Sequence, residues 1–221
     1  VKYTKKVVYL NDEEVVTARK DGSFTIKNIK NEIQSPVIQE IDLKIEQLEK
    51  EGFDHFMLKE IFQQPMTITE SIRGRLNAEE GWVVLNGLKQ FEGRFMHAKR
   101  IIFVACGTSW HSAMIAEYLI EELARIPVEV EYASEFRYRN PILDEHDVVI
   151  AISQSGETAD TLAALELAKE KGAFLYGVVN VIGSSIARFT HSGSYIHAGP
   201  EIGVASTKAF TSQLSVLTLM A

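Results

Sequence analysis

This sequence has a single cysteine, no long apolar run and no excess of basic charge, and each of these features excludes a class of protein. The single cysteine, Cys106, excludes an intramolecular disulfide framework and makes a reducing cytoplasm the expected compartment. No apolar run approaches the roughly 20 residues needed to span a bilayer, so we expect no membrane insertion. Acidic residues outnumber lysine and arginine by 30 to 23, which gives a net charge of -7. A general nucleic-acid-binding surface is therefore not expected, and any anion-binding site must be confined to a few residues.

Short strand patterns open the chain. Residues 6–10, 14–18 and 23–26 are rich in strand-forming residues, and Asn11-Asp12 and Asp21-Gly22 separate them as turn signals. This arrangement predicts a small β-meander at the start of the chain.

Residues 30–98 are predicted to be mostly helical. Apolar residues recur at helical spacing after Pro36, and capping signals and a proline mark further helix boundaries. Three helices are predicted here, and the first begins at Val37. The second runs from His55 to Gln63, with Asp54 as its cap and Pro65 as its stop. The third runs from a capping box at residues 67–70 to about Arg75.

After Arg100 strand and helix patterns alternate, which is typical of a parallel sheet. Strands such as 148–152 are apolar without alternation, as expected when helices cover both faces of the sheet. The predicted strands are 101–105, 128–132, 148–152 and 174–181, and the predicted helices are 109–125 and 158–171. The expected fold class is α/β, an open parallel sheet flanked by helices and preceded by the helical segment and the meander.

Two hydroxyl-rich turns each follow a predicted strand and open a helix. One is Cys106-Gly-Thr-Ser109, and the other is the segment 153–158 around Gly156. Free amides and the positive end of the helix dipole at such positions, together with hydroxyl donors, favour a phosphate. Ligands of open α/β sheets bind beyond the carboxyl ends of the strands, where both turns fall. Either turn alone is explained at least as well by helix capping, and spacing does not decide between the two.

Several motifs together resemble one family. They are CGTSWHSA at 106–113, ASEFRYRN at 133–140, SQSGETADTL at 153–162 and GPEIGVASTKAFTSQ at 199–213, with FMLKEIFQQP at 56–65 and SIRGR at 71–75. The set resembles glutamine–fructose-6-phosphate amidotransferase, also called glucosamine-6-phosphate synthase. SQSGETADTL alone indicates only a sugar isomerase (SIS) domain, whereas GPEIGVASTKAF beside it points to the synthase.

The resemblance implies an SIS-type, flavodoxin-like three-layer fold and a sugar-phosphate site. The expected ligands are fructose 6-phosphate and glucosamine 6-phosphate, and the resemblance implies no cofactor and no metal. Positions similar to those that hold the phosphate in the family are Thr108, Ser153, Gln154, Ser155 and Thr158. Positions similar to those that line the sugar are Ser109, Val204, Ala205 and Ser206.

The resemblance also divides the chain into three segments. Residues 1–28 look like the closing strands of a glutaminase domain, 29–98 like the linker and first helices of the synthase domain, and 99–221 like its first SIS domain. The glutaminase nucleophile and the catalytic second SIS domain match nothing in this stretch, so we expect a truncated, catalytically incomplete piece and assign no catalytic residue. The implied partners are the glutaminase domain, the second SIS domain and a second copy in a homodimer.

Individual residues admit plainer roles than catalysis. Cys106 is expected to be a small buried hydrophobe, and Glu157 a carboxylate placed by a helix dipole rather than a base. The six histidines show no metal-ligand spacing. Glu201 and Lys208 flank the sugar-lining segment, and the sequence leaves open whether they contact ligand, form an ion pair or are simply solvated charges.

Two other functions remain open at this stage. A sugar-phosphate sensor is one, although a DNA-binding regulator would carry a basic helix-turn-helix before the SIS domain. A stand-alone sugar-phosphate isomerase is the other, and the GPEIGVASTKAF motif disfavours it.

Overall fold

The computed structural model describes residue 4, residues 6–40 and residues 49–221. The chain divides into two compact units, Val1–Glu51 and Gly52–Ala221. These units reflect internal contacts, whereas the three predicted segments reflect family resemblance, so the segment boundaries stay predictions.

The first unit contains two small antiparallel sheets. One is a three-stranded meander of β2 (Glu14–Ala18), β3 (Phe24–Asn28) and β4 (Ile33–Gln34), and the other pairs β1 (Lys6–Val8) with β5 (Ile38–Glu40). The predicted meander is therefore right in kind and wrong in its first strand, because β1 pairs with β5 instead of β2.

The helix predicted from Val37 is wrong at its start. Residues Ile38–Glu40 are extended because they form the antiparallel ladder with β1, in which Val8 lies opposite Ile38. The rest of that predicted helix falls on residues 41–48, which lie outside the described part of the chain.

Helix α1 opens the second unit and runs without a break from Phe56 to Ile72. The predicted stop at Pro65 is wrong, and so is the capping box at residues 67–70. Proline lacks the N–H that would bond the carbonyl four residues earlier, and the side-chain Nε2 of Gln64 donates to that Ile61 oxygen instead, at 3.0 Å. Asp54 is not the cap either, since the N-cap residue is His55. The His55 side chain makes no capping hydrogen bond.

Short elements join α1 to the main sheet. They are the two-stranded β6 (Leu76–Asn77) and β7 (Trp82–Val83), and the helices α2 (Asn86–Lys89) and α3 (Glu92–Met96). Helices cover fewer than half of the described residues between 30 and 98, so the prediction that this segment is mostly helical is wrong. Local periodicity missed the short strands because each spans only two or three residues.

The predicted parallel sheet is confirmed. Its five strands lie in the order β12-β11-β10-β8-β9, and all neighbours are parallel. In chain order the elements are β8 (Arg100–Ala105), α4 (Thr108–Leu123), β9 (Val128–Tyr132), α5 (Ala133–Phe136), β10 (Asp147–Ser153), α6 (Ala159–Glu170), β11 (Phe174–Val179), α7 (Ser185–Phe189), β12 (Ser192–Tyr195) and α8 (Lys208–Met220).

Helices cover both faces of this sheet, which gives the three layers that the resemblance implied. One face packs Phe103 and Ile150 against α4 and α8, and the other packs Val104 and Val149 against α5 and α6. Because successive strand residues point to opposite faces, a strand covered on both sides must be apolar at nearly every position. No helix in the described ranges is long and apolar enough to cross a membrane.

The strand order creates a crevice between β8 and β10. Helix α4 leaves β8 on one face of the sheet, and α6 leaves β10 on the other. This reversal is the topological switch point of a doubly wound sheet, and the crevice beyond the carboxyl ends of these two strands is where such folds bind ligands.

Candidate functional site

A polar cleft of about 420 Å³ lies at the switch point. Three loops form it: the first loop (residues 106–109) after β8, the second loop (residues 153–158) after β10, and the third loop (residues 201–206) before α8. All nine residues predicted to bind phosphate or sugar line it, namely Thr108, Ser109, Ser153, Gln154, Ser155, Thr158, Val204, Ala205 and Ser206. The other lining residues are Cys106, Gly107, Ile152, Glu201 and Gly203.

The first loop brings the N-terminus of α4 to the cleft. Gly107 is the N-cap and has a positive φ of 59°, a conformation that glycine adopts without steric cost. Ser109 is nearly buried, and its Oγ accepts a hydrogen bond from Nε2 of Gln213 at 2.9 Å. The Thr108 side chain has no hydrogen-bond partner in the described part of the chain, so its hydroxyl is available to a ligand.

The second loop is ordered by its own hydroxyls. Ser153 Oγ accepts the backbone N–H of Gly156 at 3.0 Å and lies 3.1 Å from Thr158 Oγ1. Ser155 Oγ accepts the backbone N–H of Glu157 at 3.1 Å, which leaves the Ser155 proton free to donate. Thr158 is also the N-cap of α6, so the positive end of a second helix dipole faces the cleft.

The third loop is held by two carboxylates. Glu60 on α1 is buried and accepts the backbone N–H groups of Ile202 at 2.6 Å and Gly203 at 3.1 Å. Glu201 accepts the backbone N–H groups of Thr207 at 2.9 Å and Ala209 at 3.2 Å, and the hydroxyl of Ser206 at 2.9 Å. The backbone of this loop is thus fixed from both ends, while the Val204 side chain on its rim is fully exposed.

The electrostatic character of the cleft follows from this inventory. Among the residues that the structure describes, no lysine, arginine or histidine lines the cleft, and Glu201 is the one charged lining residue. Its Oε1 accepts from the backbone at the start of α8, and its Oε2 accepts from the hydroxyl of Ser206. Attraction for an anion therefore comes from uncharged donors and from the N-termini of α4 and α6. Such a site suits a phosphate ester carrying further hydroxyl groups.

The structure settles where the undecided residues lie. Glu201 lines the cleft and caps α8, whereas Lys208 is buried and donates from Nζ to Gln63 Oε1 at 2.9 Å. Glu157 is exposed, and its Oε1 accepts the backbone N–H of Ser185 at 2.8 Å, at the start of α7. Cys106 was expected to be buried but is half-buried, because it packs on the core and also faces the cleft.

Sequence reasoning missed two residues that support the cleft. Glu60 lies in α1, far from the loops in sequence, and no local signal marks it. Gln213 is a buried amide on the inner face of α8, which also buries Lys208 and Ser212. A buried amide needs hydrogen-bond partners, but because polar residues recur on this face, the sequence does not single out Gln213.

Fold and cleft together define a doubly wound α/β domain with a cleft at the switch point between β8 and β10, the position at which folds of this class bind ligands. The chain belongs to the SIS domain family, whose profile matches residues 94–221.

Similar proteins give a narrower setting. The chain is 60% identical over all of its 221 residues to a glutamine–fructose-6-phosphate aminotransferase (isomerizing) of Bacteroides thetaiotaomicron and to one of Chlorobaculum tepidum. It covers 36% of each, so it spans about a third of the length of these relatives. Among solved structures, it resembles the C-terminal domain of glucosamine-fructose-6-phosphate aminotransferase from Francisella tularensis, with a TM-score of 0.71 and 42% identity over 78% of this chain and 48% of that one.

Proposed function

We propose that the cleft binds a hexose 6-phosphate and that the chain is the sugar-phosphate-binding part of a glutamine–fructose-6-phosphate aminotransferase (isomerizing). The observation that carries the proposal is the meeting of two hydroxyl-rich loops at one switch-point cleft. Within the described part of the chain, the only charged residue that lines this cleft is Glu201, and its carboxylate already accepts hydrogen bonds from the start of α8 and from Ser206. The identity to the aminotransferases over the full chain supports the same assignment.

The two ends of the ligand have separate binding groups in this proposal. Thr108, Ser153, Gln154, Ser155 and Thr158 bind the phosphate, since they cluster at the starts of α4 and α6, where backbone amides and helix dipoles add to their donors. Uncharged donors allow a dianion to leave again, because no desolvated ion pair has to be broken.

The sugar extends from this anchor toward the third loop. In this proposal Val204, Ala205 and Ser206 of the third loop, together with Ser109 of the first loop, line the sugar. Fixing the unreactive phosphate end orients the sugar carbons for groups supplied elsewhere in a whole enzyme. The residues of this chain are therefore assigned to binding and orientation, and none to proton transfer.

The whole protein would convert fructose 6-phosphate and glutamine to glucosamine 6-phosphate and glutamate. In that protein the chain works beside a glutaminase domain and a second SIS domain, in a cytoplasmic homodimer. The names of the relatives support the reaction, and the two domain partners, the homodimer and the cytoplasm are part of the proposal.

Thermal unfolding with ligand tests the proposal. At a concentration of about ten times Kd, fructose 6-phosphate or glucosamine 6-phosphate should add about 1.4 kcal/mol, which corresponds to an increase in melting temperature of about 3–6 °C for a chain of this size. Free fructose and glucose at the same concentration should leave the melting temperature unchanged, because they lack the anchoring phosphate.

Variants locate the site. Replacing Ser155 and Thr158 by alanine should abolish the shift while the unliganded protein still unfolds cooperatively. The matched control replaces Ser215 and Thr218, whose hydroxyls donate to the carbonyls of Thr211 and Leu214 on α8, and it should keep the full shift. A shift that survives in the Ser155/Thr158 double variant would place the ligand elsewhere and refute the proposal.

A further inference from the structure

A second cavity lies at the opposite end of the parallel sheet from the cleft. Its volume is about 270 Å³, and three separate segments line it. Phe91 and Arg94 come from the stretch around α3, residues 169–174 join α6 to β11, and His191 precedes β12. The first residue of β11 is Phe174, so the cavity lies at the amino ends of the strands, whereas the cleft lies beyond their carboxyl ends.

Aromatic rings form the apolar wall of this cavity. Phe174 is 6% exposed, and its ring stacks on the imidazole of His191, with the two centroids 5.2 Å apart and the planes inclined by 15°. The Phe91 ring centroid lies 5.0 Å from that of Phe174. Gly172 and Ala173 add no bulky side chain to the lining. A wall of this kind suits a planar apolar group, which can pack against the rings.

Two cations reach the same cavity. The Cζ of Arg94 lies 6.0 Å from the centroid of the Phe174 ring, and Nζ of Lys169 lies 4.4 Å from that of Phe189. Burial lowers the pKa of the neighbouring His191, and the charges of Lys169 and Arg94 lower it further, so both cations act on one ring. Among the residues that the structure describes, neither cation has an ion-pair partner and no carboxylate lines the cavity.

His191 adds a third donor. Its Nδ1 accepts the backbone N–H of Leu175 at 3.0 Å, so the proton of the neutral ring is on Nε2. The polar side chains in the described lining, those of Arg94, Lys169 and His191, therefore offer donors and no acceptor. A group that can accept from all three is an anion with several oxygens.

Helix ends explain each cation singly. Arg94 lies in the last turn of α3 and Lys169 in the last turn of α6, where the partial negative charge of a helix terminus favours a basic residue. That effect does not require the two helices to bring their cations to one cavity. It also does not exclude a neighbouring carboxylate, in a chain whose acidic residues outnumber lysine and arginine by 30 to 23. The meeting of two unpaired cations at a cavity walled by rings indicates a ligand.

We propose that this cavity binds a phosphate monoester that carries a planar ring. The phosphate lies between Arg94 and Lys169, and the ring packs against Phe91 and Phe174. A phosphate monoester carries a charge of about −2 at neutral pH and three free oxygens, which matches two cations and the His191 N–H, whereas a carboxylate would leave one cation unbalanced. The site lies outside the cleft, and this proposal does not depend on the hexose 6-phosphate assignment.

NMR of the 221-residue chain with phenyl phosphate as the probe tests the proposal, with the ring signal of His191 identified by its loss in His191→Gln. Phenyl phosphate should shift this signal saturably and raise the pKa of His191, because a bound anion favours the protonated ring. Inorganic phosphate, which lacks the ring, should bind at least about tenfold more weakly. Benzyl alcohol, a ring without charge, should leave the pKa of His191 unchanged.

Variants separate a specific site from the general effect of charge. Arg94→Gln and Lys169→Gln should each weaken phenyl phosphate binding about tenfold, the loss of one charge-assisted hydrogen bond, and both side chains are exposed, so the fold should persist. Lys171→Gln is the matched control. It removes the same charge two residues from Lys169, but Nζ of Lys171 donates to Asn140 Oδ1 at 2.9 Å and does not line the cavity, so binding should equal that of the wild type.

A competition experiment distinguishes the cavity from the cleft. An excess of fructose 6-phosphate should leave the His191 response to phenyl phosphate unchanged, and Ser155→Ala/Thr158→Ala should keep that response. A response that fructose 6-phosphate abolishes, a His191 signal that phenyl phosphate does not shift, equal losses in Lys169→Gln and Lys171→Gln, or equal affinity for inorganic phosphate would overturn the cavity site. None of these results would alter the assignment of the cleft, which the melting-temperature shift tests separately.

Discussion

The carboxylate of Glu60 accepts the backbone N–H of Ile202 at 2.6 Å. This bond joins α1 to the third loop of the cleft across 142 positions of sequence. Both oxygens of Glu60 also lie within 3.2 Å of the Gly203 nitrogen. A buried carboxylate with these partners makes the sugar-lining loop depend on a helix that does not itself line the cleft.

Replacing Glu60 by alanine should therefore destabilise the chain. The change leaves two backbone N–H groups without their charged acceptor, and we expect the free energy of unfolding to fall by about 2–4 kcal/mol. Urea unfolding measures this loss. Glu70→Ala on the same helix removes an exposed ion pair with Arg73 and should cost less than about 0.5 kcal/mol. Equal costs for the two variants would show that Glu60 does not hold the loop.

Gly156 should tolerate no side chain. Its φ is +68°, and a Cβ added there would lie 2.0 Å from Ser184 Oγ and 2.5 Å from Ser184 Cβ. Gly156→Ala should lower the free energy of unfolding by more than about 2 kcal/mol, since left-handed strain of about 1 kcal/mol adds to the clash. Thermal or urea unfolding checks the size of the loss.

Strain and clash can be separated with a second glycine. Gly172 has a φ of +88° and open space where a Cβ would be, so Gly172→Ala should cost only about 1 kcal/mol. Ser184→Gly combined with Gly156→Ala should recover most of the excess. If the combined variant were no more stable than Gly156→Ala, contact with Ser184 would not be the cause of the excess loss of stability.

Stability should fall in mild acid because of His191. Burial lowers the pKa of His191, and the neighbouring charges of Lys169 and Arg94 lower it further. The neutral ring accepts the backbone N–H of Leu175 on Nδ1 at 3.0 Å. At a pH between the lowered pKa of the folded state and the value of about 6.5 in the unfolded chain, the unfolded chain binds more protons than the folded one. The contribution of neutral His191 to the free energy of unfolding is therefore fully present above about pH 6.5 and decreases as the pH falls below that value.

Melting temperatures between pH 7.5 and pH 5 test this dependence. His191→Gln keeps an acceptor without a titrating group, so it should lose less stability over that range than the wild type. His146→Gln, which alters a side chain that is 65% exposed, should follow the wild type. If the melting temperature of His191→Gln changed with pH as steeply as that of the wild type, His191 would not be the cause of the pH dependence.

Glu157 should matter for stability and little for binding. Its carboxylate accepts a hydrogen bond from the backbone N–H of Ser185, the first residue of α7. Glu157→Ala should therefore lower the free energy of unfolding by about 1 kcal/mol, the usual contribution of a helix cap. Fructose 6-phosphate affinity should change less than about twofold. A tenfold loss of affinity with unchanged stability would instead indicate a direct contact with ligand.

The parallel sheet could be predicted from the sequence because its three central strands, β8, β10 and β11, are buried on both faces. Burial of that kind requires uninterrupted apolar runs such as residues 148–152, and helical segments must separate parallel strands. The predicted strand 128–132 agrees with β9 residue for residue. The segment before residue 100 was predicted less well, because a proline within α1 and strands of two or three residues depend on partners distant in the chain.

The sequence by itself determined four of the five strands of the parallel sheet and the helices α4 and α6, and it marked the residues proposed to bind phosphate, because periodicity and hydroxyl-rich turns are local properties of the chain. Only the tertiary structure decided that the loops after β8 and β10 meet, since the strand order that makes these strands neighbours arises from long-range packing. It alone also placed Glu60 and Gln213 behind the cleft, because hydrogen bonds across more than 100 residues leave no local pattern.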